Sequence, residues 1–250
     1  MRGITVLFVT LALAVACGGG TAGAPPKPSP PAGPVTQYRN TLPGLNAASQ
    51  LDLIQNVIDF APGAASVVHT HISPNLATVL EGQIIVKMPA GEKQATTGEM
   101  LVEPVNQPLQ AVNSGSTEAM VVVGFAVTHG GKPTVVVSGK PAPALPNKTL
   151  YSFTLSSTSV SGPYSLVQQV LDFAPGSQTP KHHHGGPGVI TVLQGQVALN
   201  SDGVERIYNV GDSFAELPGQ TLQAFNRGTS AVVVAATFML PDGAQLTTNL

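Results

Sequence analysis

From residue 35 onward the chain is a succession of short runs in which apolar and polar residues alternate, broken by glycine and proline. Residues 51–60 set Leu53, Gln55, Val57 and Asp59 against Ile54, Asn56, Ile58 and Phe60. A period of two is that of an extended strand. Pro62-Gly63 ends that run as a turn. Residues 67–71 predict a further strand, and residues 76–88 predict two, joined by a tight turn at Glu81-Gly82. Residues 109–113 predict another. Residues 119–127 are almost continuously apolar, as a strand buried on both faces is.

The pattern then repeats. His69 and His182 lie 113 positions apart, and the same offset aligns Gly82 with Gly195, Gly98 with Gly211, Asn113 with Asn226, Gly115 with Gly228 and Phe125 with Phe238, without a gap between residues 52 and 127. Two copies of one β-domain follow, at residues 35–130 and 149–250, with a linker at 131–148. Each copy is expected to close its own sheet edges, since open apolar edges invite aggregation.

Each copy carries His-x-His: His69-Thr70-His71, and His182-His183-His184. In a strand residues i and i+2 share a face, so two imidazoles per copy look into one interior. Neutral ring nitrogens suit zinc, iron, copper and nickel. The plainer alternative is a hydrogen-bonded histidine pair inside a barrel. His183 should point outward, and His129, next to the linker, should be solvated. Glu103 and Glu216 occupy equivalent positions and could serve as ligand or general base. A carboxylate is rarely buried without a partner, so pairing at a turn on the barrel surface is the expectation.

Composition narrows the partners. Only 10% of residues are charged and the net charge is -2, which favours neither nucleic acid nor an anionic membrane surface. Gly 27, Pro 22 and no tryptophan, among valine- and threonine-rich runs, agree with an all-β chain rich in turns.

The N-terminus has Arg2, an apolar run from Ile4 to Val15 and no acid before Asp52, which reads as a secretory signal over residues 1–17. Cys17 follows Ala14-Val15-Ala16 and precedes three glycines, an arrangement that resembles a bacterial lipobox, with Leu13 one place further from the cysteine than the commonest pattern has it. A lone cysteine cannot close an internal disulfide, and acylation would consume it. The expectation is an exported cell-envelope lipoprotein, periplasmic or at the cell surface, with simple secretion as the alternative. Residues 18–34 are then a Gly/Pro-rich spacer.

These landmarks resemble the two motifs of the cupin family, and the whole chain is similar to a bicupin: two tandem double-stranded β-helix (jelly-roll) barrels. Gly63, His69, His71 and Gly82 match the first motif, as do Gly176, His182, His184 and Gly195. That motif's glutamate is replaced by Asn75 in one copy and Gly188 in the other. Gly98, Pro104 and Asn113 match the second motif, as do Gly211, Gly219 and Asn226. Its histidine is replaced by Leu109 and Leu222.

The resemblance implies a divalent transition metal (Fe, Mn, Ni, Cu or Zn), here weakly held because two of the usual four ligands are missing from each barrel. His69, His71, His182 and His184 are the metal candidates and Cys17 the lipidation candidate. If one copy binds metal, the second is expected to, because Gly185, Gly186 and Gly188 leave it open and adaptable. The functional expectation is an extracytoplasmic bicupin that binds a small, mostly apolar molecule. The alternatives are a metal-dependent oxygenase resembling quercetinase-type bicupins, and a non-catalytic scaffold. A monomer whose two barrels pair within the chain is expected.

Overall fold

The computed structural model describes residues 32–47, 50–158, 160 and 162–250. The expected export signal at residues 1–17, with Cys17, and nearly all of the expected spacer lie outside the described residues. Among those described there is no helix, and twenty strands fall into two series of ten. The first comprises β1 (Val35–Ala47), β2 (Leu51–Phe60), β3 (His69–His71), β4 (Asn75–Glu81), β5 (Gln83–Met88), β6 (Gly91–Thr96), β7 (Met100–Leu101), β8 (Gln110–Val112), β9 (Ala119–Thr128) and β10 (Thr134–Val136). The second comprises β11 (Lys148–Thr158), β12 (Gly162–Phe173), β13 (His182–His184), β14 (Gly188–Gln194), β15 (Gln196–Ser201), β16 (Val204–Asn209), β17 (Ser213–Glu216), β18 (Leu222–Phe225), β19 (Val232–Pro241) and β20 (Thr247–Asn249).

Each series wraps into a jelly-roll barrel around its own apolar core. Ile54, Phe60, Ala77, Val79, Ile84, Leu101, Leu109, Val121 and Phe125 fill the first, and Val167, Phe173, Ile190, Val192, Val197, Phe214, Leu222, Val234 and Phe238 fill the second. The motif asparagines tie corners together: Asn113 Nδ2 donates to the carbonyls of Phe60 and Thr117, both at 2.8 Å, while its Oδ1 accepts from Gly115 N–H. Asn226 repeats the pattern.

Contrary to the expectation that each copy closes its own edges, the barrels exchange their first strands. β1 lies antiparallel on β12, from Val35 opposite Asp172 to Ala47 opposite Gly162. β11 lies on β2, from Lys148 opposite Asp59 to Thr158 opposite Leu51. The outer edges of β2 and β12 would otherwise expose unpaired N–H and C=O groups. The exchange also explains two motif glycines. Gly98 and Gly211 have φ near +88° and +91°, and a Cβ there would meet the ring of Tyr38 or Tyr151 at 2.6 or 2.7 Å. A strand-exchanged tyrosine covers each turn.

Residues 131–148, expected to be linker, contain β10. It pairs with β3, Thr134 opposite His71 and Val136 opposite His69, as β20 pairs with β13. Its β-branched run Thr134-Val135-Val136 is a strand signal, short and set among Gly, Pro and Lys residues.

Between the barrels, Leu51, Leu53, Leu76 and Ala126 pack on Val160, Tyr164, Leu166, Val189 and Met239. Within this apolar seam Gln55 Nε2 donates to Thr191 Oγ1 at 2.7 Å, and Thr78 Oγ1 donates to Gln168 Oε1 at 2.8 Å. These pairs are related by the repeat, so the two halves meet about an approximate two-fold axis. Burial makes such amides costly unless bonded, and here they fix the register of one barrel on the other.

Candidate metal and ligand site

β3 sets His69 and His71 inward, both buried, and β13 does the same for His182 and His184. His183 between them is half-buried and Lys181 is exposed, as alternation requires. Each inward ring is held through Nδ1 by a main-chain carbonyl: His69 by Val67 at 2.8 Å, His71 by Pro133 at 3.1 Å, His182 by Pro180 at 2.9 Å and His184 by Leu246 at 2.8 Å. A carbonyl can only accept, so each Nδ1 carries a proton and the Nε2 atoms are left for the interior. His69 Nε2 lies 3.2 Å from His71 Nε2, with the rings edge to face.

The third member is the carboxylate. Glu103 and Glu216 are buried, with Glu103 Oε2 2.9 Å from His71 Nε2 and Glu216 Oε2 3.0 Å from His184 Nε2. The expectation of a surface role for these residues is therefore corrected. Alternation could have found them: Glu103 stands two residues after inward Leu101, and Glu216 two after inward Phe214. Each acquires in its histidine the partner that a buried carboxylate requires.

Burial and the carboxylate act oppositely on the imidazoles of the second barrel. Burial lowers the pKa of His69, against the Val67 carbonyl, and the neighbouring His71 adds to the lowering. His182 is lowered in the same way, chiefly by burial. At His184 burial also opposes the charged form, but the hydrogen bond and charge of Glu216, with the Leu246 carbonyl, outweigh it and raise the pKa above its ordinary value.

Above each cluster lies a cavity, about 230 Å³ in the first barrel and about 330 Å³ in the second. The walls are mainly apolar, with Ile58, Ala77 and Leu101 in the first replaced by Leu171, Ile190 and Phe214 in the second. Neither lining contains lysine or arginine. Each also borrows residues across the strand exchange. Asn147 and Thr149, leading into β11, line the first cavity, and Gly33, Pro34 and Thr36 line the second. The sequence offered no signal for this, because the borrowed residues are remote from the barrel they complete.

With the motif pairs, the two barrels and the inward histidines in place, the comparisons decide the family. The cupin domain model matches residues 56–125 and again 169–238. The chain belongs to the cupin family. Compared by sequence alone, no curated protein matches this bicupin. Its fold is similar to that of an oxalate decarboxylase variant from Bacillus subtilis, with TM-score 0.60, 14% identity, and 88% of this chain and 81% of that one covered. AerE from Microcystis aeruginosa gives 0.54, 16%, 84% and 98%, and vicilin from hazelnut, Corylus avellana, 0.59, 10%, 79% and 77%. Another structure of the B. subtilis enzyme concerns its Mn(II) centres, with 0.54, 13%, 88% and 81%. At these identities the likeness is one of fold.

Does the donor set of this bicupin fit a metal? As the side chains stand, no group of three or more His, Cys, Asp or Glu among the described residues is arranged to hold an ion. Glu103 Oε2 and His71 Nε2 stand within hydrogen-bond distance of each other. The donor chemistry nonetheless fits. Two imidazoles present Nε2 with Nδ1 anchored, as ligand histidines do, and a carboxylate is the third donor. Neighbouring donors about an ion with bonds near 2.1 Å stand about 3 Å apart, as these do. Where the second motif's histidine is replaced, Leu109 and Leu222 are core residues. His129 is not simply solvated, since its half-exposed ring lies 2.8 Å from Asp52 Oδ1.

Proposed function

We propose that this bicupin binds a small, mostly apolar molecule in each barrel beside a divalent metal ion held by His69, His71 and Glu103 in the first barrel and by His182, His184 and Glu216 in the second. The observation that carries the reading is the buried carboxylate 2.9–3.0 Å from a carbonyl-anchored histidine, found twice. Such an ion supplies a Lewis acid with open positions for a ligand oxygen or dioxygen. The chain does the rest. The Val67, Pro133, Pro180 and Leu246 carbonyls orient the rings, Glu103 and Glu216 supply the anionic donor, and the apolar walls exclude water. Linings without a cationic side chain favour a neutral, apolar ligand body over a small dianion.

Two histidines with one carboxylate are also the donor set of non-haem iron oxygenases, which favours a metal-dependent oxygenase as the second reading. Manganese is a further candidate ion, by analogy with the structurally similar decarboxylase. Export and acylation at Cys17 belong to the same proposal and rest on the sequence of residues 1–17. The two barrels satisfy each other's edges, which supports a monomeric protein.

The test is elemental analysis of untagged protein after dialysis, beside His69→Ala/His71→Ala and His182→Ala/His184→Ala. Metal lost in proportion to the barrels altered supports the reading. Metal absent, or unchanged by both double substitutions, overturns it. Turnover of a cavity ligand with dioxygen uptake would select the oxygenase.

A further inference from the structure

The seam between the barrels holds a further cavity, of about 210 Å³, which shares no lining residue with either histidine cavity. Both halves build its apolar wall, Leu80 and Met120 from the first and Val170, Leu193 and Val233 from the second. Leu80 and Leu193 are equivalent in the repeat, and each is the extra residue of a bulge, in β4 and in β14. A bulge re-aims a side chain. Met120 and Val233 are equivalent too, so the cavity lies close to the axis that relates the halves.

Its polar lining has one sign. Glu81 and Asp172 contribute carboxylates, and no lysine or arginine lines it. Gln194 lines it as well, and its Oε1 is buried without a hydrogen-bond partner. Acceptors in native interiors are nearly always bonded, so a partner for this one has to be accounted for.

The repeat supplies an internal control. β1 and β11 bulge at the same place, Gln37 standing between Thr36 (opposite Leu171) and Tyr38 (opposite Val170), and Leu150 between Thr149 (opposite Ile58) and Tyr151 (opposite Val57). Leu150 and Tyr151 pack into the apolar cluster of Val57, Val122 and Leu193. Gln37 instead lines the cavity, and its Nε2 donates to Asp172 Oδ2 at 3.3 Å. Where one half plugs the seam with leucine, the other presents an amide and a carboxylate.

We infer that this seam cavity is a ligand site separate from both barrels, and that it takes a small organic cation: an ammonium group facing Asp172, Glu81 and Gln194, on an apolar body held among Leu80, Met120, Val170, Leu193 and Val233. An ammonium brings only donors, which suits an acceptor-lined site and supplies the N–H that Gln194 lacks. The size suits a one-ring amine, since a cavity of roughly 150 Å³ is enough for benzene. A carboxylate or phosphate ligand would meet two like charges with no cation to offset them.

The experiment is calorimetric titration of the full-length protein with benzylamine at neutral pH, beside benzyl alcohol and benzoate. Benzylamine is expected to bind about tenfold more tightly than the alcohol, and benzoate more weakly still. Asp172→Asn should remove most of that preference. Gln37→Leu, which copies Leu150 of the other half, should abolish benzylamine binding, and because Gln37 is exposed it keeps the test decisive if Asp172→Asn does not fold. The chain carrying His69→Ala/His71→Ala and His182→Ala/His184→Ala should bind benzylamine unchanged, whatever becomes of the metal reading. No benzylamine binding, equal binding of the alcohol, indifference to both Gln37→Leu and Asp172→Asn, or loss of binding with the histidines would each overturn the inference.

Discussion

Gly124 and Thr237 hold equivalent places in the repeat, yet they face each other across the seam, with a Cβ on Gly124 falling 2.5 Å from Thr237 Cγ2. Equivalent positions can meet only close to the axis relating the halves, and there only one of the two can carry a side chain. Thr237 uses its place to donate to Gln55 Oε1 at 2.6 Å and to accept from Gln168 Nε2 at 3.2 Å. Gly124→Thr should cost about 1–3 kcal/mol by overpacking. Adding Thr237→Gly should recover much of it, because the pair is then only exchanged. Chemical denaturation of the four chains gives the coupling directly, and additive effects would contradict the contact.

The strand exchange makes a prediction about cleavage. Residues 138–141 are largely exposed and lie between β10 and β11. A protease site inserted there and cut should leave both fragments eluting together, since β1 is paired to the second barrel and β11 to the first. Each fragment alone should be unstable, having lost its edge strand. Fragments that separate as stable, folded domains would refute the exchange.

In metal-free protein His184 should titrate above 6.5, its ordinary value, because Glu216 outweighs burial. A raised folded pKa contributes stability fully present below 6.5 and lost as pH rises through the folded value. Glu216→Gln should bring the His184 ring titration down in an NMR pH series. The stability deficit of that variant should be largest in acid and shrink towards alkaline pH. His182, lowered by burial, should titrate below 6.5 in the same spectra.

Asp52 carries the opposite sign. Burial alone would raise its pKa, but His129 and the Gly130 and Ser157 N–H groups hold it below 3.8. Its contribution is therefore present above 3.8 and lost as pH falls through the lower folded value. Asp52→Asn should reduce the melting temperature at neutral pH, with the gap to the parent chain closing below the folded pKa. A gap independent of pH would mean that the carboxylate charge is not involved. Ser157 has φ near +57° at the place Gly44 takes in the other half, and Asp52 accepts its N–H at 2.9 Å, which holds a bulge in β11.

The sequence by itself determined the all-β class, the two copies and the inward histidines. Strand alternation and a gapless repeat are local properties, fixed by which residues can share a face. Alternation from Leu101 would have turned Glu103 inward, but the cost of burying a charge argued against it, and the partner that offsets that cost, His71, comes from a different strand. Only the tertiary structure decided the strand exchange, the cavity walls borrowed from the other half, and the cavity in the seam. Each depends on contacts between residues far apart in the chain, where no periodicity records which edge a strand covers. The glycines at 186 and 188 make the same point: their sequence suggests open space, and packing against Met239 and Phe238 removes it.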